Sequence, residues 1–182
     1  MDMGVYALTW IFQILYHSQP SSDKETPLAV SALHKYHTGV DESSSIILQF
    51  PKHKSTGIAL SSFRIDSVSD NGQSSDACVR IQGPLGEIQV AAPAHRPTRF
   101  KVVKDGKEEV FDFPVPKDPA SGIGHGMFWE ADEAARCVRD GRLESIGLPL
   151  EEVSRFSSCF HDMPVTFMAH IKHSFVAIFL FA

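Results

Sequence analysis

Short segments rich in β-branched and aromatic residues recur through the middle of the chain, each bounded by Pro, Gly, Asp, Asn or Ser. On both sides of the turn Gly83-Pro84-Leu85-Gly86, apolar residues alternate with polar ones, which predicts a sheet with one apolar and one mixed face. This turn and Lys104-Asp105-Gly106-Lys107 are typical of tight hairpins between antiparallel strands. The segments span residues 28–36, 44–50, 57–65, 77–82, 87–91, 99–103 and 109–113, and they predict a mostly antiparallel open sheet of about six strands.

Near the N-terminus the pattern changes to spacings of three and four residues, the period of an amphipathic helix. A helix starting near Met3 is therefore expected to cover one face of the sheet. Its apolar side is predicted to carry Val5, Leu8, Phe12 and Leu15. A polar stripe follows the other side, at Asp2, Tyr6, Thr9, Gln13 and His17.

A second helix is predicted to start near Met127 and to cover the same face of the sheet. Its small alanines would allow close packing, and Gly141 suits the left-handed cap at its end. An open sheet with helices on one face predicts the α+β class. The apolar stripe of this helix comprises Phe128, Ala131, Ala135 and Val138.

Composition fits a soluble globular unit with a sizeable core. The chain has 182 residues, of which 43% are hydrophobic, and its formal net charge is -5. The basic residues are scattered, so no nucleic-acid partner is expected, and the dense cluster Lys52-His53-Lys54 is predicted to be a solvated loop. The apolar run at residues 174–182 is shorter than the ~20 residues that a membrane-spanning helix needs, so no membrane partner is expected.

The three cysteines, Cys78, Cys137 and Cys159, include no Cys-x-x-Cys pair. An odd number of dispersed cysteines favours free thiols in a reducing compartment, so a cytoplasmic location is expected. The pairs Cys159-x-His161 and His170-x-x-His173 have a spacing too general to indicate zinc, and no metal site is predicted.

An aspartate and a tyrosine one turn apart, Asp2 and Tyr6, carry the main candidate chemistry. When a hydroxyl group is oxidised by hydride transfer its proton must be accepted, and a phenol can accept it once a nearby lysine cation favours the ionised form. The residues alone leave a second interpretation open. In that interpretation Asp2 caps the helix, and Tyr6 packs its ring in the core with the hydroxyl at the surface.

Several short motifs follow one another in a fixed order. They are the Asp-x-Gly-x-Tyr segment of residues 2–8, Thr38-Gly39-Val40-Asp41-Glu42, the Gly-x-x-Gly hairpin of residues 83–88, Pro114-Val115-Pro116-Lys117, and the glycine-bounded helix of residues 124–145. The ordered series resembles the C-terminal part of the Gfo/Idh/MocA oxidoreductases. The resemblance spans roughly residues 2–152 and is greatest to the family's NADP-dependent sugar and dihydrodiol dehydrogenases.

This resemblance implies a substrate class and roles for four residues. The intact family enzymes use NADP to oxidise a small sugar or diol. Tyr6 matches their catalytic tyrosine, and Asp2 matches an aspartate that helps to hold the substrate hydroxyls. His95 and His125 lie where the wall of the substrate pocket is expected. Dimeric family members imply that the uncovered face of the sheet forms a homodimer.

Two family features have no counterpart in the sequence: a Gly-x-Gly-x-x-Gly/Ala turn after a strand, and a Glu-Lys-Pro segment that supplies a catalytic lysine. The cluster Gly122-x-Gly124-x-Gly126 follows a proline-rich loop instead of a strand. We therefore expect the nucleotide-binding Rossmann domain to be absent, and no cofactor to bind and no turnover to occur with this chain alone. The alternative function is a non-catalytic remnant that acts as a dimerisation or interaction module.

The chain is expected to divide after residue 152. Residues 1–152 would form the substrate-binding and dimerisation domain of the oxidoreductase. From residue 153 to residue 182 the family's helical periodicity gives way to a divergent apolar sequence rich in phenylalanine. We hypothesise that this tail is not family sequence and that it comes from a misread splice junction or a truncated gene.

Overall fold

The computed structural model describes residues 4–65, 77–120, 122, 124–151, 154 and 180–181. Contacts within the chain define two compact units, one formed by Met1–Asp112 with Met163–Ala182 and the other by Phe113–Asp162. The expected boundary at residues 152 and 153 lies outside the described residues. The division at that point and the origin of the tail therefore stay predictions.

The first unit contains an eight-stranded open sheet in the order β1-β2-β3-β8-β4-β5-β6-β7. Neighbouring strands are antiparallel except β8, which is parallel to β4. The α+β class and the mostly antiparallel sheet are confirmed, and each predicted segment forms a strand. Strand β8 was not predicted, so the sheet is larger than expected. The strands are β1 Leu28–Lys35, β2 Asp41–Phe50, β3 Ser55–Ser62, β4 Ala77–Gly83, β5 Gly86–Ala91, β6 Arg99–Lys104, β7 Lys107–Asp112 and β8 Leu180–Phe181.

Both predicted hairpin turns connect antiparallel strands, and each depends on a glycine. In the β6–β7 turn, Asp105 and Gly106 have φ angles of 52° and 72°, as a type I′ turn requires at both central positions. In the β4–β5 turn, a side chain at Gly86 would collide with the backbone oxygen of Val103. Local turn chemistry therefore fixes the strand pairing in this half of the sheet.

The first helix packs close to one strand of the sheet at a glycine. Helix α1, Gly4–Phe12, runs on into a π-helical turn, Gln13–His17. Ile11 is fully buried and faces Gly57 of β3, where an added Cβ would lie 2.5 Å from Ile11 Cγ2. Because Gly57 has no side chain, the helix can approach the strand closely.

The predicted apolar side of α1 is correct at Leu8, Phe12 and Leu15, which are all buried. It is wrong at Val5, which is 38% exposed. The buried side is instead centred on Ile11, because this residue meets the space left by Gly57.

The two faces of the sheet differ in their surroundings. On the face that α1 covers, Ile46 of β2 pairs with Ala59 of β3, and both residues are buried. On the opposite face, Val30 of β1 pairs with Ile47 of β2, and both side chains remain exposed. The core of the first unit therefore lies between α1 and the sheet.

The second unit contains helix α2, Phe128–Arg139, which ends as predicted. Gly141 has a φ angle of 65°, its N–H donates to the Val138 oxygen at 3.2 Å, and the Arg142 N–H donates to the Cys137 oxygen at 2.9 Å. These two hydrogen bonds form a Schellman cap. In α2 Cys137 is buried and Val138 is 82% exposed. The predicted packing of α2 on the sheet stays a prediction.

Candidate functional site

The candidate catalytic residue Tyr6 lies on the side of α1 turned away from the core and is 45% exposed. Its ring centroid is 5.6 Å from that of His95, with the two rings tilted by 51°. The structure thus brings together two residues that the sequence marked separately. The partial exposure of Tyr6 leaves its hydroxyl group able to reach solvent or a ligand, and its catalytic role stays a prediction.

His95 lies in the loop between β5 and β6, and this loop is attached to α1. The Trp10 indole N–H donates to the Ala94 oxygen at 3.0 Å. Within the loop the Arg96 N–H donates to the Pro93 oxygen at 3.0 Å and closes a turn. Trp10 and Tyr6 are one helical turn apart, so neighbouring positions on α1 hold neighbouring residues of the loop.

His125, the second candidate histidine, belongs to the other unit. It is exposed between Gly124 and Gly126, as the flanking glycines predicted. A Cβ at Gly124 would lie 2.7 Å from the Pro116 oxygen, and one at Gly126 would lie 3.1 Å from the Trp129 ring. The close contact therefore requires a glycine at position 124, and the φ angle of 80° favours one at position 126. The substrate role of His125 stays a prediction. Asp2 lies outside the described residues, so its role is a prediction as well.

The described residues can be compared with the two binding motifs considered in the sequence, for a metal and for a dinucleotide. No three or more His, Cys, Asp or Glu side chains come together among them as metal ligands. The glycine cluster at residues 122–126 follows residues 113–120, which form no strand, so the strand–turn–helix of a dinucleotide site is not formed there. No helix in the described part of the chain is long and apolar enough to cross a membrane. The thiols of Cys78 and Cys137 are free.

The basic cluster at residues 52–54 is held by acidic residues of the same chain. The backbone N–H groups of Lys52 and His53 donate to Glu25 at 3.1 and 3.2 Å. The Lys52 ammonium donates to Asp23 at 3.2 Å, and the His53 ring contacts the Asp23 carbonyl oxygen at 2.9 Å. Lys52 and Lys54 are exposed, as expected of a solvated turn, yet the turn is also fastened to the segment after the first helix.

A polar cluster in the second unit was missed by the sequence analysis. Glu133 Oε1 accepts hydrogen bonds from Ser145 at 3.0 Å and Arg142 at 3.2 Å, and Cys137 Sγ lies 3.6 Å away. The hydrogen bond from Ser145, with Arg142 behind it, lowers the pKa of Glu133, and burial raises the pKa of the Cys137 thiol. We call these four residues the Glu133 cluster. The spacing of Glu133 and Cys137 along α2 is visible in the sequence, but the return of the loop to the helix is not.

The known proteins similar to the chain include dehydrogenases. The D-xylose 1-dehydrogenase (NADP(+)) of Hypocrea jecorina is 54% identical over 154 residues, which cover 84% of the chain and 39% of that protein. The trans-1,2-dihydrobenzene-1,2-diol dehydrogenases of Bos taurus and Homo sapiens are 31% and 30% identical over 159 and 153 residues, covering 84% of the chain and 41% of each protein. No family model and no solved structure matches the chain.

The chain spans about two fifths of the length of the curated relatives it matches. The region aligned with them covers 84% of the chain's residues, which is far more than a single shared motif. The predicted resemblance is confirmed, and the α+β fold agrees with it. Over most of its own length the chain is therefore similar to part of the D-xylose and dihydrodiol dehydrogenases, as its resemblance to the Gfo/Idh/MocA oxidoreductases predicted.

Proposed function

We propose that the chain is the substrate-binding and dimerisation part of an NADP-dependent dehydrogenase. Its substrate would be a sugar such as D-xylose, oxidised at the C1 hydroxyl to a lactone, or a trans-dihydrodiol. The observation that carries this proposal is the position of Tyr6, exposed on α1 and in contact with His95, in a chain 54% identical to a D-xylose 1-dehydrogenase (NADP(+)).

The chain's own task in this reaction is to hold the substrate and to accept a proton. The Tyr6 hydroxyl group, as its phenolate, takes the proton of the substrate hydroxyl. Asp2 accepts hydrogen bonds from neighbouring substrate hydroxyls, and His95 and His125 contact the sugar or diol.

NADP supplies the hydride acceptor in this chemistry, and the residues of this chain do not fit it. Dinucleotide binding in α/β folds depends on a glycine-rich turn between a strand and a helix, and neither the sequence nor the described residues provide one. The lysine that favours the phenolate would also lie outside this chain. We therefore propose that the chain alone has no dehydrogenase activity and works, in the cytoplasm, only with a nucleotide-binding domain.

The open face of the sheet supports a homodimer. Leu28 and Val30 of β1 are 61% and 59% exposed, and Ile47 of β2 lies beside Val30. Toward β7 the same face carries ion pairs, including Lys101–Glu108 at 2.9 Å. An apolar patch beside charged residues resembles the core and rim of an interface. We propose that two copies meet at the β1–β2 end of this face.

Light scattering during size-exclusion chromatography tests this dimer. Val30→Lys should convert a dimer into a monomer, because it places a charge in the apolar contact. Val110→Lys is the matched control, since Val110 is also exposed but pairs with Lys101 at the charged end of the face. A wild-type chain that is monomeric at micromolar concentration, or equal disruption by both variants, would contradict the proposed interface.

The catalytic proposal is tested with two proteins. The chain of residues 1–182 should show no NADP-dependent oxidation of D-xylose. A chimera with a nucleotide-binding domain from a family dehydrogenase joined before Asp2, and with the tail after Glu152 replaced by the corresponding family segment, should form lactone. In this chimera Tyr6→Phe should abolish turnover and leave NADP binding nearly unchanged, because only the phenolic hydroxyl is removed.

Lactone formation and nicotinamide fluorescence report turnover and NADP binding separately. Turnover by the isolated chain, or full activity of the Tyr6→Phe chimera, would refute the proposal. A folded chimera that binds NADP but oxidises neither D-xylose nor a trans-dihydrodiol would favour the non-catalytic interaction module.

A further inference from the structure

Two aromatic side chains of α1 contact two consecutive residues of the β5–β6 loop. The Trp10 indole N–H donates to the Ala94 oxygen at 3.0 Å, and the Tyr6 ring lies 5.6 Å from the His95 ring. Tyr6 and Trp10 are four residues apart in a helix, so the rigid backbone of α1 fixes the distance between them. The hydrogen bond and the ring contact are therefore linked at both ends: Trp10 to Tyr6 by one turn of helix, and Ala94 to His95 by one peptide bond.

The Trp10 indole can only donate a hydrogen bond, and Trp10 is partly buried. The carbonyl of Ala94 accepts this bond across 84 residues of sequence. Pro93 and Pro97 restrict the backbone on either side, so the loop has few conformations to lose when Ala94 is held by this bond. Such a bond is well suited to fix where the next residue, His95, projects.

We propose that Trp10 is a positioning residue, which fixes the β5–β6 loop through Ala94 and thereby sets the His95 ring against the Tyr6 ring. Trp10 acts through His95 and takes no part in proton transfer. The catalytic consequence of this inference depends on the proposed role of Tyr6, whereas the structural consequence does not.

The structural consequence is measured in the chain of residues 1–182 by the carbon-bound ring proton signals of His95 in the NMR spectrum. His95→Gln assigns these signals. Trp10→Phe keeps an aromatic ring and removes the N–H donor, so the His95 signals should shift toward those of a histidine without a neighbouring ring. Trp129→Phe is the matched control: it makes the same replacement at the other tryptophan of the chain, whose ring lies beside Gly126, and it should leave the His95 signals unchanged.

The catalytic consequence is measured in the chimera by a double-mutant cycle. Loss of one neutral hydrogen bond predicts that Trp10→Phe lowers kcat about three- to tenfold, with little change in the KM for NADP. In a chimera that already carries His95→Ala, Trp10→Phe should cause no further loss, because its effect passes through His95. Circular dichroism confirms that each variant is folded.

Unchanged His95 signals in Trp10→Phe would overturn the inference, and so would kcat losses that multiply independently in the cycle. The cycle also separates this inference from the proposed function. If the wild-type chimera has no turnover, the catalytic proposal fails, and the NMR comparison still decides whether Trp10 positions His95.

Discussion

Ile11 of helix α1 and the loop that follows α2 are held in place by different means. Ile11 of α1 packs without polar contacts into the space above Gly57. The loop of residues 140–151 is attached to α2 by hydrogen bonds and an ion pair that converge on Glu133. An apolar contact depends on shape and volume, whereas a polar cluster depends on each partner and on its protonation. The two regions should therefore respond to different perturbations.

Removal of apolar volume at α1 should have the largest effect. Ile11 is fully buried, so Ile11→Ala leaves a cavity and should lower the free energy of unfolding by about 2–5 kcal/mol. Urea unfolding followed by circular dichroism measures this change. Ile146→Ala is the control, because Ile146 is 85% exposed and its loss should stay within about 0.5 kcal/mol. Equal effects of both variants would show that α1 does not depend on this contact.

Addition of volume at the same contact should be the next largest perturbation. Gly57→Ala places a methyl group 2.5 Å from Ile11 Cγ2 and should lower the free energy of unfolding by about 1–3 kcal/mol. Gly83→Ala is the matched control in the same sheet, since no atom lies within 4 Å of its added Cβ. Thermal unfolding ranks the two variants. A Gly57→Ala protein as stable as the wild type would mean that α1 can shift at little cost and that the contact with Ile11 does not need a glycine at position 57.

The Glu133 cluster should respond to pH, whereas the contact between Ile11 and Gly57 contains no titratable side chain. Its hydrogen bonds lower the pKa of Glu133 in the folded chain below the ordinary value of 4.5. The resulting stabilisation is present above that ordinary value and is lost as the pH falls through the lowered value. Glu133→Gln should therefore weaken the loop at neutral pH, by less than Ile11→Ala weakens the fold.

Amide hydrogen exchange at Arg142 and Leu150 measures this effect locally. The difference in protection between the wild type and Glu133→Gln should shrink as the pH is lowered from neutral to about 3. The same comparison at Leu8 of α1 should show no difference at any pH. A difference at the loop that persists in acid would mean that the shape of Glu133, and not its charge, holds the loop.

Local chemistry explains which parts of the fold were predictable from the sequence. The turn at Asp105 and Gly106 and the cap at Gly141 need left-handed backbone, and few residues adopt it easily, so these features are visible in a few letters. The apolar side of α1 was predicted with an error at Val5, because its exact centre depends on Gly57, more than forty residues away in the sequence.

The site could be predicted residue by residue but not as an arrangement. The resemblance identified Tyr6 and His95 separately, and only the fold shows their rings in contact. Two hydrogen bonds, from Trp10 to Ala94 and from Ser145 to Glu133, cannot be recognised in the sequence. Each joins a helix to a loop, so neither produces a periodic pattern of residues. Contacts of this kind depend on tertiary packing and not on local propensity.

The hydrogen bond between Trp10 and Ala94 also bears on the order in which the chain folds. Its partners are 84 residues apart, whereas the β4–β5 and β6–β7 hairpins close through turns of a few residues. Closing a long loop costs more chain entropy than closing a hairpin, so we expect the hairpins to form early and the contact between α1 and the β5–β6 loop to form late. The meeting of Tyr6 with His95 would then follow the formation of the hairpins, and a partly folded chain would have these hairpins before it had its site.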